Sequence, residues 1–249
     1  MTYPRPYRLL GSNSELAGER ILNWSLPAWA GRLKDGRTYN TCPQAGVCHL
    51  ACYALSGTYR FSNVRARHEA NLAYVLDDLP RWHDHMCWEL SRRKRTFTWV
   101  RIHDSGDFFS DDYTNAWLSI IRNTPEMAFY AYTKEVDRFR RLVEPDPPGN
   151  FLWAYSWGGK QDRQLDDQRD RVADVFPDMA SMQAAGYSDQ SESDVLAVTG
   201  PRQVGIHVNN IPHLKKKQGP RSFRAWQREA DAKHDQRGQR ANGTSIDRS

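Results

Sequence analysis

The sequence contains no apolar run approaching the roughly 20 residues that cross a bilayer, and residues 1–11 lack the apolar core of a secretory signal. These absences predict a cytoplasmic chain with no membrane partner. Cysteine is scarce, at four in 249 residues. That is too few for a dense disulfide framework, and in a reduced compartment clustered cysteines favour metal binding or catalysis. Most of the chain also lacks a charge excess of either sign, with 25 Lys or Arg and 26 Asp or Glu before residue 214. What remains is a globular composition, 39% hydrophobic with nine tryptophans, long enough to bury a sizeable core.

The few cysteines are not scattered. Cys42, Cys48 and Cys52 fall in one turn-rich stretch, TCPQAGVCHLACY, at 41–53. A structural thiol only has to fill a small apolar gap and has no reason to cluster. Three thiolates converging from one loop are what a soft metal or an iron–sulfur cluster requires. Packed thiols or a redox pair are the alternative. Cys87, flanked by His83 and His85, is a candidate further ligand, and His49, His68 or an external group are others.

Periodicity supplies the scaffold. Apolar runs at 21–29 (ILNWSLPAW), 96–102 (TFTWVRI), 127–132 (MAFYAY), 151–156 (FLWAYS) and 204–208 (VGIHV) read as strands. Helical spacing marks 64–79, 82–92, 111–122, 134–143 and a charged segment at 165–176. Asp111 and Asp112 are placed to cap the third of these, and Trp82, Trp88, Trp99 and Trp117 read as core. Short strands alternating with helices predict parallel βαβ units. The expected fold is therefore α/β, a small or partial (β/α) barrel with an N-terminal Cys-rich metal loop at 41–54. Its domain would span 1–213, followed by a basic tail at 214–249.

In such a fold chemistry gathers where strands end. The strand TFTWVRI runs into His103, Asp104, Ser105, Gly106, Asp107 and Phe108, which offer an imidazole, two carboxylates and a glycine free to take positive φ. The next exits hold Tyr132 and Lys134, then Gly158 and Gly159, whose amides could form an anion-binding nest. His207 closes the series. The tail carries ten Lys or Arg against four Asp or Glu, among them Lys215, Lys216, Lys217, Arg221 and Arg224. A basic arm on a neutral body predicts a polyanionic partner, most simply nucleic acid.

Three likenesses follow from these residues. The run Asp104-Ser105-Gly106-Asp107-Phe108 resembles the Asp-Ser-Gly-x-Phe motif of the guanine transglycosylases, and Gly158-Gly159 is similar to that superfamily's later glycine pair. The resemblance implies a zinc-bearing (β/α) barrel and a glycosyltransferase that exchanges guanine in nucleic acid for a free modified base such as a 7-deazaguanine. DNA is expected ahead of RNA as the substrate. Asp104 and Asp107 would be catalytic, with Asp174 in the place of the aspartate nucleophile. In that superfamily, however, the zinc cysteines follow the barrel, whereas here they precede it. That order, with Ser105-Gly106-Asp107 at the next strand exit, resembles the radical S-adenosylmethionine enzymes, which implies a [4Fe–4S] cluster with S-adenosylmethionine. The stretch from Cys42 to Ala54 also looks like a signature of phage and plasmid proteins, which would place the chain in a host cytoplasm. The leading expectation is base exchange. The alternatives are radical chemistry and a zinc-stapled nucleic-acid-binding module.

Overall fold

The computed structural model describes residues 8–207 and 211–243. The last residue of the expected 204–208 strand and the end of the expected basic tail lie outside the described residues.

Among the described residues, nine strands and nine α-helices follow in order. They are α1 (Ser14–Gly18), β1 (Ile21–Trp24), β2 (Ala30–Arg32), β3 (Thr38–Asn40), α2 (Ser62–Asp77), α3 (Leu79–Arg93), β4 (Trp99–Ile102) and α4 (Asp111–Arg122). Next come β5 (Ala128–Thr133), α5 (Val136–Leu142), β6 (Phe151–Ser156), β7 (Val172–Phe176), α6 (Met179–Ala184) and β8 (Ser188–Asp189). The chain ends with α7 (Leu196–Thr199), β9 (Gln203–His207), α8 (Pro212–Gln218) and α9 (Phe223–Gly243).

Seven strands form one sheet in the order β1-β4-β5-β6-β7-β9-β8, with every pairing parallel. From β1 to β7 neighbours in the sheet are also neighbours among its strands in the chain, as in a (β/α) barrel laid open; β9 then pairs with β7, and β8 takes the far edge. The barrel itself is not seen: among the described residues no pairing joins β1 to β8, and the sheet keeps two edges. The β1 edge is met by an antiparallel bridge between Gly11 and Asn23.

Parallel strands covered on both faces must be apolar along their length, and β5, β6 and β7 are largely buried for that reason. Helix α4 buries the stripe Tyr113, Trp117, Leu118, Ile120 and Ile121 against the sheet. Trp24, Trp82 and Trp117 meet within it at ring separations of 5.5, 5.3 and 6.3 Å. Each fully buried large side chain contributes on the order of 2–3 kcal/mol.

Four expectations are corrected. Residues 165–176 are not one helix: the charged first half is irregular, and the second half is β7. Ser110, rather than Asp111 or Asp112, caps α4 by accepting from the Tyr113 amide at 3.2 Å, while Asp111 pairs with Arg138 and Arg141. Trp88 is not core, being 51% exposed beneath the Arg92 guanidinium. The segment after residue 213 is not an arm beside the domain. It forms α8 and α9, which pack on the cysteine segment and on β7.

No helix among the described residues is long and apolar enough to cross a membrane.

Candidate functional site

The cysteine segment leaves the sheet after β1 and the β2–β3 hairpin and lies across the C-terminal strand ends. It is anchored on several sides. The Gly46 and Cys48 amides donate to the Gly158 carbonyl at 3.0 and 3.2 Å. The Val47 amide donates to Gln227 Oε1 on α9 at 2.7 Å, and the Gln44 amide to Glu135 at 3.2 Å. The Thr41 carbonyl accepts from the Asp107 amide at 2.8 Å. The segment is therefore pre-set by the strand exits it faces.

Between segment and exits lies a cavity of about 360 Å3. Cys42, Cys48 and Cys52 all line it, with Lys134 and Ser156 facing from β5 and β6. The Trp29 amide donates to Cys42 Sγ at 3.4 Å, and the Ala54 and Leu55 amides bond to the Cys52 sulfur. Burial pushes all three thiols up, Cys48 to about 11. The Lys134 ammonium acts the other way on Cys48 and Cys52, while it bonds to Ser156 Oγ at 2.6 Å. Among the described residues, no three His, Cys, Asp or Glu side chains converge closely enough to hold one metal ion. Cys87 is not brought to this site. It packs on the main core from α3, and its neighbour His83 bonds to Ser119 at 3.0 Å instead.

The far wall is polar. Arg101, on β4, pairs with Asp104 at 3.4 Å and with Asp194 at 3.2 Å, and lies over the Tyr132 ring. Burial opposes its charge, and the two carboxylates outweigh that. Asp104 Oδ2 accepts from the Tyr59 hydroxyl at 2.5 Å and from Asn23 at 3.4 Å, and its carbonyl accepts from Tyr53. Tyr132 donates to Gln190 at 2.6 Å, and Tyr130 to Asp194. His207 closes the wall, 3.8 Å from Asp189. Arg101, Asp194, Gln190, Tyr53 and Tyr59 were missed in the sequence. The one available signal was Arg101, a charge inside an apolar strand.

His103 has a left-handed backbone, φ 66°, and is buried. Its Nε2 lies 2.8 Å from the Tyr113 hydroxyl, which already accepts from Trp24 Nε1 at 2.7 Å. Its Nδ1 is buried and has no hydrogen-bond partner among the described residues. Burial holds this imidazole neutral, down to about 3.

The remaining expected residues have structural duties. Asp107 is buried and accepts from Thr133 Oγ1 at 2.7 Å and from the Phe108 and Lys134 amides at 2.8 and 2.9 Å. Burial raises it, and its charge helps to lift Glu135 to about 8. Ser105 donates to the Leu26 carbonyl at 2.5 Å. Gly106, at φ 89°, lets Leu26 approach so closely that a Cβ would lie 2.8 Å from the Leu26 Cβ. Phe108 does not face the cavity; it is core, against His103 and Phe139.

The expected nest is already filled. The Gly158 and Gly159 amides both donate to Asp162, at 2.8 Å each. Asp174 lies outside the cavity, accepting from the Val175 amide at 2.8 Å and from Arg224, at the start of α9, at 3.2 Å. Lys217 donates to the Leu50 carbonyl at 3.0 Å. Arg221 pairs with Glu229 at 2.7 Å and Arg224 pairs with Asp167 at 2.5 Å. Lys215 and Lys216 remain on the surface of α8.

A pH effect follows from Asp174. Burial raises it to about 6 from a usual 3.8, so the protonated form is favoured on folding. That stability is full below about pH 4 and is lost as pH rises through about 6. Asp174→Asn is expected to fold and to flatten this slope by on the order of 2 kcal/mol, read from urea midpoints across the window. An unchanged slope would contradict the assignment.

Fold and site together define an α/β protein with an open seven-stranded parallel sheet and a three-thiol cavity at its strand ends. The chain belongs to the family described as Gene product 88, which matches residues 8–241. It is 31% identical to the "Gene 88 protein" of Mycobacterium phage L5 over 111 residues, 41% of this chain and 46% of that protein. The chain thus spans about half the length of the curated relative that it matches. The likeness to phage proteins expected from Cys42 to Ala54 holds at this level. Both names are gene-product labels that state no reaction. No solved structure matches the chain.

Proposed function

We propose that the chain is a cluster-dependent enzyme of the radical S-adenosylmethionine type. Cys42, Cys48 and Cys52 would hold three irons of a [4Fe–4S] cluster, with the fourth iron open to the cofactor. The observation that carries this reading is the shared cavity: three thiols from the segment after the first sheet strand line one chamber without converging on one point. A structural zinc needs all its ligands around a single ion, whereas cluster thiolates sit on separate irons. The donor set fits in other respects. Amide hydrogens already point at two of the sulfurs, and Lys134 offsets their negative charge.

A cluster held there by Cys42, Cys48 and Cys52 would supply one-electron reduction of S-adenosylmethionine. The chain's own residues bind and orient. The Arg101–Asp104–Asp194 network fixes the polar wall with two carboxylates to one guanidinium. Tyr53 and Tyr59 hold Asp104 in place, and His103 lines the cavity beside it.

Base exchange, the leading expectation from sequence, loses two of its parts. Asp174 is committed to backbone amides outside the cavity, and the glycine pair is occupied by Asp162. Reduced protein is expected to convert S-adenosylmethionine to methionine and 5′-deoxyadenosine, as read by chromatography. Cluster-replete protein that neither binds nor cleaves it would overturn the proposal.

A further inference from the structure

Two segments supply the cysteine side of the cavity lining, 25–68 through residues between Ala28 and Ala54 and 211–221 through Leu214, and both are basic. Together they hold ten Lys or Arg and one acidic residue, Asp35, so the rest of the chain carries a net negative charge. Asp35 is itself paired with Arg37. The two segments touch: Lys217 reaches the Leu50 carbonyl, and His213 lies 3.2 Å from Ser56 Oγ.

The first segment also carries exposed apolar surface. Of seven exposed large hydrophobics among the described residues, four lie in 25–68: Trp29 at 37%, Leu50 at 40%, Leu55 at 46% and Phe61 at 58% exposed. Trp29 stacks on His49 at 4.5 Å, and both line the cavity. Tyr59, whose hydroxyl holds Asp104 inside, is followed at once by Arg60 and Phe61 outside. Arg65 is exposed one turn further along α2.

Cations interleaved with open aromatic faces are the surface that single-stranded nucleic acid recognises, through phosphate charge and base stacking. An acidic protein would satisfy the charge but has no use for flat rings around a cavity. The cavity, at about 360 Å3, is of the size of small-ligand pockets, and Trp29 and His49 stand at its border with this surface. We propose that this rim docks a single strand, DNA or RNA, and presents one nucleotide to the thiol-lined cavity. The partner expected from the basic tail is thereby moved from α9 to the rim, since Arg224 is paired with Asp167. The chemistry done on that nucleotide rests on the cluster reading; the docking does not.

The test is fluorescence anisotropy with the full chain and labelled single-stranded DNA, single-stranded RNA and the matching duplex, over a range of salt. Single strands are expected to bind ahead of duplex, with affinity falling steeply as salt rises, by a logarithmic slope of about −0.7 per phosphate contact. The preferred sugar shows which strand is the natural one. Arg60→Glu with Arg65→Glu is expected to reduce both affinity and slope. Phe61→Ala is expected to weaken binding roughly five- to hundredfold with the slope unchanged, which a purely charged surface would not show. Equal binding of duplex, no effect of Phe61→Ala, or competition by polyglutamate as effective as by oligonucleotide would overturn the inference. Iron-loaded protein that ignores every oligonucleotide sinks the docking and leaves the cluster reading standing; colourless protein that binds single strands does the reverse.

Discussion

Cys48→Ser is expected to remove nearly all iron and sulfide from the anaerobically purified protein, and all S-adenosylmethionine cleavage with them. The sulfur of Cys48 lies in the middle of the set, close enough to feel the charge of Cys52, and Cys42 in turn feels that of Cys48. Serine is nearly isosteric, and the Cys48 amide keeps its bond to the Gly158 carbonyl. The apo fold should therefore persist by circular dichroism while the added stability of the loaded state is lost. Cys87→Ser is the control. Its side chain packs on the core from α3, so cluster content should stay at the wild-type level. A metal-replete Cys48→Ser, or loss of cluster in Cys87→Ser, would show that the ligands have been misassigned.

Asp107→Ala should cost stability on a comparable scale. The change strands three buried donors at once: the Thr133 hydroxyl and the Phe108 and Lys134 amides. At about 1–3 kcal/mol for each unsatisfied group, some of it relieved by relaxation, the loss is roughly 3–5 kcal/mol. That corresponds to about 10 °C in Tm for a chain of this size. Asp107 sits where the β4 exit, the β5 exit and the cysteine segment meet, so the cavity should loosen with it. Asp107→Asn keeps the acceptor for Thr133 and Phe108 and places its amide against only the Lys134 N–H, so it should cost clearly less. Equal losses from the two variants would mean that the carboxylate's bonds do not hold the site. The chemistry expected of Asp107 thus becomes positioning, with Asp104 and Asp194 the carboxylates of the cavity's polar wall.

Local pattern was legible where a segment's own residues decide its structure. Helix α4 and strand β6 fall where their periodicity places them, because amphipathic spacing and an aromatic run are local signals. The run 165–176 misled because its charges look helical. In the structure its second half is a buried strand, and the one acid within that strand, Asp174, is there to receive the amide at the start of α9. Nothing near Asp174 in sequence announces a partner 50 residues away. The same distance hid the polar wall: Arg101 and Asp194 are 93 residues apart, and Asp194 sits in an irregular segment with no period to read. The glycine pair was legible as a special turn but not as an occupied one, since Asp162 completes it. The thiol cluster was plain from spacing alone. What the sequence left open was whether the thiols meet at one point or spread over a chamber, which separates a single ion from a cluster.

The most direct test of the account is the iron, acid-labile sulfide and zinc content of the wild-type chain purified without oxygen, with its absorption spectrum. The account predicts brown protein with about four irons and four sulfides per chain and a broad band at roughly 400 nm. About one zinc per chain with a featureless spectrum would contradict it.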